Sequence, residues 1–208
     1  MPVKVKICGV RDLATVHGAM AADALGFMFV ERSPRAILPE AARGLIAASR
    51  PLAVGVFADA DDGLIAAGVE AGIGAIQLHG AESGERVAAV KARFGLPVWK
   101  AAGVRTAADV RALGRDYAMA DRLLLDAKAP EGADRGGGHG VRFDWGILAA
   151  ARPARPWILA GGLTPETVAD AVAATGADFV DVSSGVEDEG YAKSLAKIAA
   201  FIERARRG

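Results

Sequence analysis

Two residues in this chain have the chemistry to move protons through a reaction: Cys8, its one cysteine, and Asp126, far along the sequence. A thiol becomes a base once a cation or a helix terminus lowers its pKa from about 8.5. A carboxylic acid can donate a proton if burial raises its pKa toward neutrality. Two titratable groups whose surroundings push them apart in this way form an acid–base pair. Each also has a plain structural use, because a free cysteine is a common core filler and Asp126 could pair with Lys128 or a neighbouring strand. A second group, Gly161-Gly162 and Ser183-Ser184-Gly185, offers unhindered backbone N–H groups and hydroxyls. That equipment suits either a phosphate or a tight turn. The three histidines (His17, His79 and His139) are scattered and make no ligand set for a metal.

The elements that must position these groups are readable as an alternation. Apolar, β-rich runs occur at 3–8, 24–30, 52–57, 74–79, 97–102, 122–127, 156–161 and 178–183, with Ala-rich stretches of helical period between them. In the first helical stretch Leu13, Val16, His17 and Met20 share a face. In "TPETVADAVAATG" Thr164 is placed to cap, Pro165 to open the helix, Val168, Ala171 and Val172 to form the stripe, and Gly176 to stop it. In the last, Tyr191, Leu195, Ile198 and Ile202 align, and the basic end with Arg204 and Arg206 suits a helix C-terminus. Strands recurring roughly every 25 residues are the spacing of βα units. Eight such units in 208 residues predict an α/β chain folded as a single (β/α)8 TIM barrel spanning 1–208. An open doubly wound sheet is the alternative, but it often carries a Gly-rich loop after the first strand, which "CGVRD" is not. The glycine-rich stretch 128–145 is the one long gap.

In a barrel, active-site groups come from the C-terminal strand ends and the loops after them. Cys8, His79, Asp126, Gly161-Gly162, Asp181 and Ser183 to Gly185 all fall there. The loops after strands seven and eight are also where barrels often hold a phosphate. Lys6 lies two residues before Cys8 on the same strand face, a place from which it could hold the thiol as thiolate.

Composition removes other classes of function. Lysine plus arginine equals aspartate plus glutamate, 25 each, so no net charge draws nucleic acid. No segment reads as a membrane span or signal peptide, and a single cysteine forbids an intramolecular disulfide. A cytoplasmic protein acting on a phosphorylated small molecule, as a monomer or homodimer, is the expectation.

Taken in order, "KICGV", "GFMFVERSPRAI", "VGVFAD", "IQLHG", "LLLDAKAP", "GGHGVRFDW", "LAGGLTPETV" and "DVSSGVE" resemble the phosphoribosylanthranilate isomerase family of tryptophan biosynthesis along the whole chain. The resemblance implies an Amadori rearrangement without cofactor or metal. It makes Asp126 the general acid that protonates the furanose ring oxygen and Cys8 the general base that removes the C2′ proton. It gives Arg35 the anthranilate carboxylate, and Gly161, Gly162, Ser183, Ser184 and Gly185 the phosphate. Asp181 and His79 become substrate-binding positions, His79 having an equal claim as a structural histidine.

Two departures stand out. Where the family often has Gly-Gly-Thr-Gly, this chain has Gly137-Gly138-His139-Gly140, and after Ser-Gly-Val-Glu it lacks the usual Pro-Gly-x-Lys-Asp. Rival readings are another phosphosugar aminoaldose–ketose isomerase, disfavoured by a cysteine at the end of strand one, and a non-catalytic phosphosugar-binding barrel. The latter would keep the glycine and serine loops without needing Cys8 and Asp126 together.

Overall fold

The computed structural model describes residues 2–127 and 144–207. Its strands are β1 (Lys4–Cys8), β2 (Ala24–Met28), β3 (Leu52–Phe57), β4 (Ala75–Leu78), β5 (Val98–Val104), β6 (Arg122–Ala127), β7 (Trp157–Leu159) and β8 (Phe179–Val182). Each pairs in parallel with the next, and β8 closes on β1, which makes the predicted eight-stranded barrel. All eight strands lie within the runs read from the sequence, except that β5 extends to Val104. The helices between them are α1 (Leu13–Gly18), α2 (Pro39–Ala47), α3 (Asp62–Glu70), α4 (Gly84–Phe94), α5 (Ala107–Asp116), α6 (Gly146–Ala150), α7 (Val168–Thr175) and α8 (Leu195–Arg207). No helix among the described residues is long and apolar enough to cross a membrane.

Alternation along each strand sorts the side chains into two cores. Outward residues such as Val5, Ile7, Leu25 and Phe27 pack beneath the helices. Ala24, Val54, Ala75, Trp99, Ala101, Leu124, Ile158, Ala160 and Phe179 form a separate cluster that fills the barrel interior. There the Trp99 and Phe179 rings meet edge to face, 5.8 Å between centroids. The first strand contributes no apolar residue to this interior cluster. It contributes Lys6 and Cys8 instead, and Gly26 on β2 makes room for them, since a Cβ there would lie 2.7 Å from Cys8 Sγ and 3.2 Å from Lys6 Cε.

Two helical faces and one helix start differ from the sequence reading. In α1 the Asp12 carboxylate caps Thr15 N at 2.8 Å, and the six-residue helix turns Thr15 and Val16 inward. Leu13 and His17 are exposed, because the cap sets the phase and the helix ends before Met20. The turn of Thr164 to Thr167 precedes α7, which starts at Val168 and not at Pro165; Val168, Ala171 and Val172 are buried as expected, and Gly176 stops the helix at φ +65°. In α8 the buried face is Ile198, Phe201, Ile202 and Ala205. Tyr191 lies outside that helix, at a chain reversal with Gly190, and Leu195, the first residue of α8, is exposed. Arg204, Arg206 and Arg207 do end α8.

Candidate active site

Parallel pairing sets Lys6 on β1 directly beside Asp181 on β8. The Lys6 ammonium donates to Asp181 Oδ1 at 2.7 Å, with the lysine side chain fully buried and that of the aspartate 10% exposed. Burial alone would lower the Lys6 pKa, but attraction to Asp181 and to Cys8 overrides it and raises the value, so the lysine is charged. Cys8 sits one step above, also buried. Burial pushes its thiol up, Lys6 and Lys193 pull it down, and Asp181 adds to the rise; the net is above the ordinary thiol value. Lys6 pulls the thiol down without offsetting its burial, and the hydrogen bond of its ammonium goes to Asp181.

Next to this pair lies a second ionic group. The Arg35 stem crosses Gly9, where φ is +81° and a Cβ would come 2.8 Å from Arg35 Cδ. Its guanidinium donates through Nε and Nη2 to the two Glu187 oxygens at 2.6 and 2.7 Å. Two of five N–H groups are thereby engaged in a fork, which locks the plane and leaves three for a ligand. Lys193 donates to the same Glu187 at 2.7 Å and to the Ser183 carbonyl at 2.9 Å. Burial acts to raise the Glu187 pKa, but bonds from Arg35 and Lys193 hold it below the ordinary carboxylate value. Burial depresses the Lys193 pKa more than Glu187 restores it.

The last loop folds back on itself, with Lys193 bridging to Glu187 in antiparallel fashion. Gly190 and Tyr191 make the reversal, at φ +71° and +63°.

Across the mouth, β4 and β6 supply His79 and Asp126. His79 Nε2 lies 3.7 Å from Asp126 Oδ2, with 37% and 36% of the two side chains exposed. Gln77, fully buried two residues before His79, places its amide nitrogen 3.1 Å from His79 Nδ1. With that amide donating, Nδ1 accepts, and Nε2 is the ring nitrogen that faces Asp126.

The two small-residue loops meet. A Cβ at Gly185 would collide with the Leu163 carbonyl, so glycine is what lets the loop after β8 lie against the loop after β7. Gly161 and Gly162 adopt φ of +88° and +65°, a sharp turn that side chains resist. Ser183 Oγ donates to the Cys8 carbonyl at 3.1 Å, which ties this cradle to the end of β1. The structure therefore gathers Cys8, Arg35, Asp181 and the glycine–serine loops on one side, and His79 with Asp126 on the other. Residues 128–143, with Lys128 and the Gly137 to Gly140 stretch including His139, lie outside the described residues.

Reading the sequence passed over Glu187, Lys193 and Gln77. Glu187 was visible as the last residue of "SSGVE", and Gln77 by its inward alternation in "IQLH". Lys193 had only its place in an interrupted motif.

Comparison with known proteins agrees with this geometry. The family model described as N-(5'phosphoribosyl)anthranilate (PRA) isomerase matches residues 5–204. An N-(5'-phosphoribosyl)anthranilate isomerase of Paramagnetospirillum magneticum is 46% identical, covering 100% of this chain and 99% of that protein. The crystal structure of phosphoribosyl anthranilate isomerase from Thermotoga maritima superposes with a TM-score of 0.85 at 35% identity, covering 99% of this chain and 100% of the other. A further such isomerase, solved with reduced 1-(o-carboxyphenylamino)-1-deoxyribulose 5-phosphate, gives a TM-score of 0.81 at 32% identity with the same coverage. On a match that runs nearly end to end, with the expected barrel and its polar mouth in place, this chain belongs to the N-(5'-phosphoribosyl)anthranilate isomerase family.

Proposed function

We propose that this barrel catalyses the Amadori rearrangement of N-(5-phosphoribosyl)anthranilate to 1-(2-carboxyphenylamino)-1-deoxyribulose 5-phosphate, with Asp126 as general acid and Cys8 as general base. The observation that carries the reading is the placement of both residues at the C-terminal ends of β6 and β1, in one mouth with the glycine–serine loops. Asp126 gives its proton to the furanose ring oxygen, the C1′–O bond breaks, and nitrogen lone-pair donation leaves an open-chain iminium. The Cys8 sulfur then takes the C2′ proton, and the C–H electrons neutralise the iminium as an enolamine. Tautomerisation gives the ketone. No redox step occurs, and none of these transfers requires a cofactor.

The surroundings fit these roles. A thiol whose pKa stands above its ordinary value is a strong base once ionised, and the Lys6 and Lys193 charges beside it stabilise the thiolate when it forms. Arg35, fixed by Glu187, presents its remaining N–H groups to the anthranilate carboxylate. Gly161, Gly162, Ser183, Ser184 and Gly185 hold the phosphate. Asp181 holds Lys6 with one oxygen, which leaves the other for a substrate hydroxyl. His79 orients Asp126.

The test is loss of phosphoribosylanthranilate fluorescence with purified protein. Cys8→Ala and Asp126→Asn should each slow turnover by about 10²–10⁴-fold, the usual worth of a positioned acid or base. Both should still bind the reduced product analogue. Wild-type protein that binds this analogue but turns nothing over would make the barrel a phosphosugar-binding module instead, and a Cys8→Ala variant at full rate would remove the thiol from the mechanism.

A further inference from the structure

Among the described residues, two that are not glycine hold a positive φ: Asp59 at +52° and Tyr191 at +63°. Asp59 is accounted for, because short polar side chains tolerate this region and its Oδ1 accepts from Ala81 N at 2.7 Å. Tyr191 is a bulky aromatic residue, for which the left-handed region is a strained conformation.

The strain is imposed by the loop around it. Gly190 is also left-handed at φ +71°, and the two together reverse the chain between Glu187 and Lys193. Asp188 N donates to the Ala192 carbonyl at 2.8 Å, and Arg11 Nη2 donates to the Tyr191 carbonyl at 3.2 Å. A glycine would meet every one of these backbone demands without strain. The tyrosine ring gains little from packing, since the residue is 47% exposed. Among the described residues its ring meets Arg35, whose guanidinium carbon lies over it 5.1 Å from the centroid.

We propose that Tyr191 is a specificity-determining residue that packs against the aminobenzoate ring of the substrate once Arg35 holds the carboxylate. The carboxylate of an aromatic acid is attached directly to its ring. Binding it at the free N–H groups of a guanidinium that already lies on the Tyr191 face sets the substrate ring beside the tyrosine, where an aromatic pair can form. Arg35 reads the charge and Tyr191 reads the ring. The ionic trio of Arg35, Glu187 and Lys193 keeps both in register, because Lys193 and Tyr191 share one short turn. This inference rests on the isomerase reading and deepens it.

The test is steady-state kinetics and thermal melting of Tyr191→Gly and Tyr191→Phe beside wild type. For Tyr191→Gly, KM for phosphoribosylanthranilate should rise roughly three- to tenfold, the worth of one aromatic pair, with kcat changing less than KM. The same variant should melt about 2–4 °C higher, because the backbone strain is gone. Tyr191→Phe, which keeps the ring, should recover most of the affinity. Inhibition by inorganic phosphate, which has no ring, should be equal in wild type and Tyr191→Gly. An unchanged KM in Tyr191→Gly, a Phe variant as weak as the Gly variant, or an equal loss of phosphate affinity would each overturn the proposal. A wild-type protein without turnover would instead overturn the isomerase reading.

Discussion

The two sides of the barrel mouth are built on opposite plans. Around Cys8, two ion groups sit in the dry part of the structure, Lys6 with Asp181 and Arg35 with Glu187 and Lys193, at separations of 2.6 to 2.7 Å. Around Asp126 the nearest ionic partner among the described residues is His79 at 3.7 Å, and both side chains are more than a third open. Beneath them Gln77 Oε1 is buried without a hydrogen-bond partner. Charges in a low-dielectric interior interact strongly and cost much to leave unpaired, so the base side is rigid and intolerant. The Asp126 side is more exposed, so on the proposed mechanism its geometry tightens when substrate binds. A thiol needs help to ionise, whereas a carboxylate at the open rim has water to exchange protons with.

The comparison breaks first at Glu187. Glu187→Gln leaves two buried cations uncompensated and should cost about 3–5 kcal/mol in urea unfolding, with a raised KM as Arg35 loses its fixed plane. The pH dependence has a definite sign. The folded Glu187 pKa lies below its unfolded value, so its stabilisation is present above about pH 4.3 and is lost as pH falls through the folded value. Wild type should therefore lose stability in that acid window, and the variant should show a flatter acid limb.

A second break is Lys6→Met, which strands Asp181 in the core and removes the cation beneath the thiol. The alkaline limb of kcat/KM should move to higher pH, and each unit of displacement costs tenfold in thiolate at neutral pH. Lys6→Met with Asp181→Leu should regain stability without restoring the pH profile, which separates the charge effect from simple misfolding. If the double variant regains the wild-type profile, Lys6 has no part in setting the thiol.

The smallest effect is expected on the more exposed side. His79→Asn should lower kcat about two- to fivefold, the range of one exposed polar contact, and leave urea stability within about 0.5 kcal/mol. A loss as large as that of Asp126→Asn would show the acid side to be as tightly organised as the base side.

Much of this was legible along the chain because barrels repeat. Period-two apolar runs, helix caps and turn glycines are local signals, and they located all eight strands and the mouth residues Cys8, His79, Asp126 and Asp181. Helical faces were less legible. The 191–195–198–202 spacing continued through a reversal that only Gly190 and Tyr191 reveal, by two consecutive positive φ angles. In α1 a six-residue helix was too short for periodicity to outweigh its cap.

By itself the sequence determined that eight βα units would close into one barrel with its reactive groups at one end, because hydrophobic period and strand-end position are properties of neighbours along the chain. It also carried the family likeness. Tertiary structure decided what each charge is used for. Lys6 and Asp181 lie 175 residues apart, and so do Ser183 and Cys8, while Arg35 and Glu187 are separated by 152. Such pairings depend on barrel closure and on which groups share a dry volume, where Coulomb attraction and desolvation are both large. That is why Lys6, which alternation placed correctly beneath Cys8, was found committed to an aspartate at the other end of the chain.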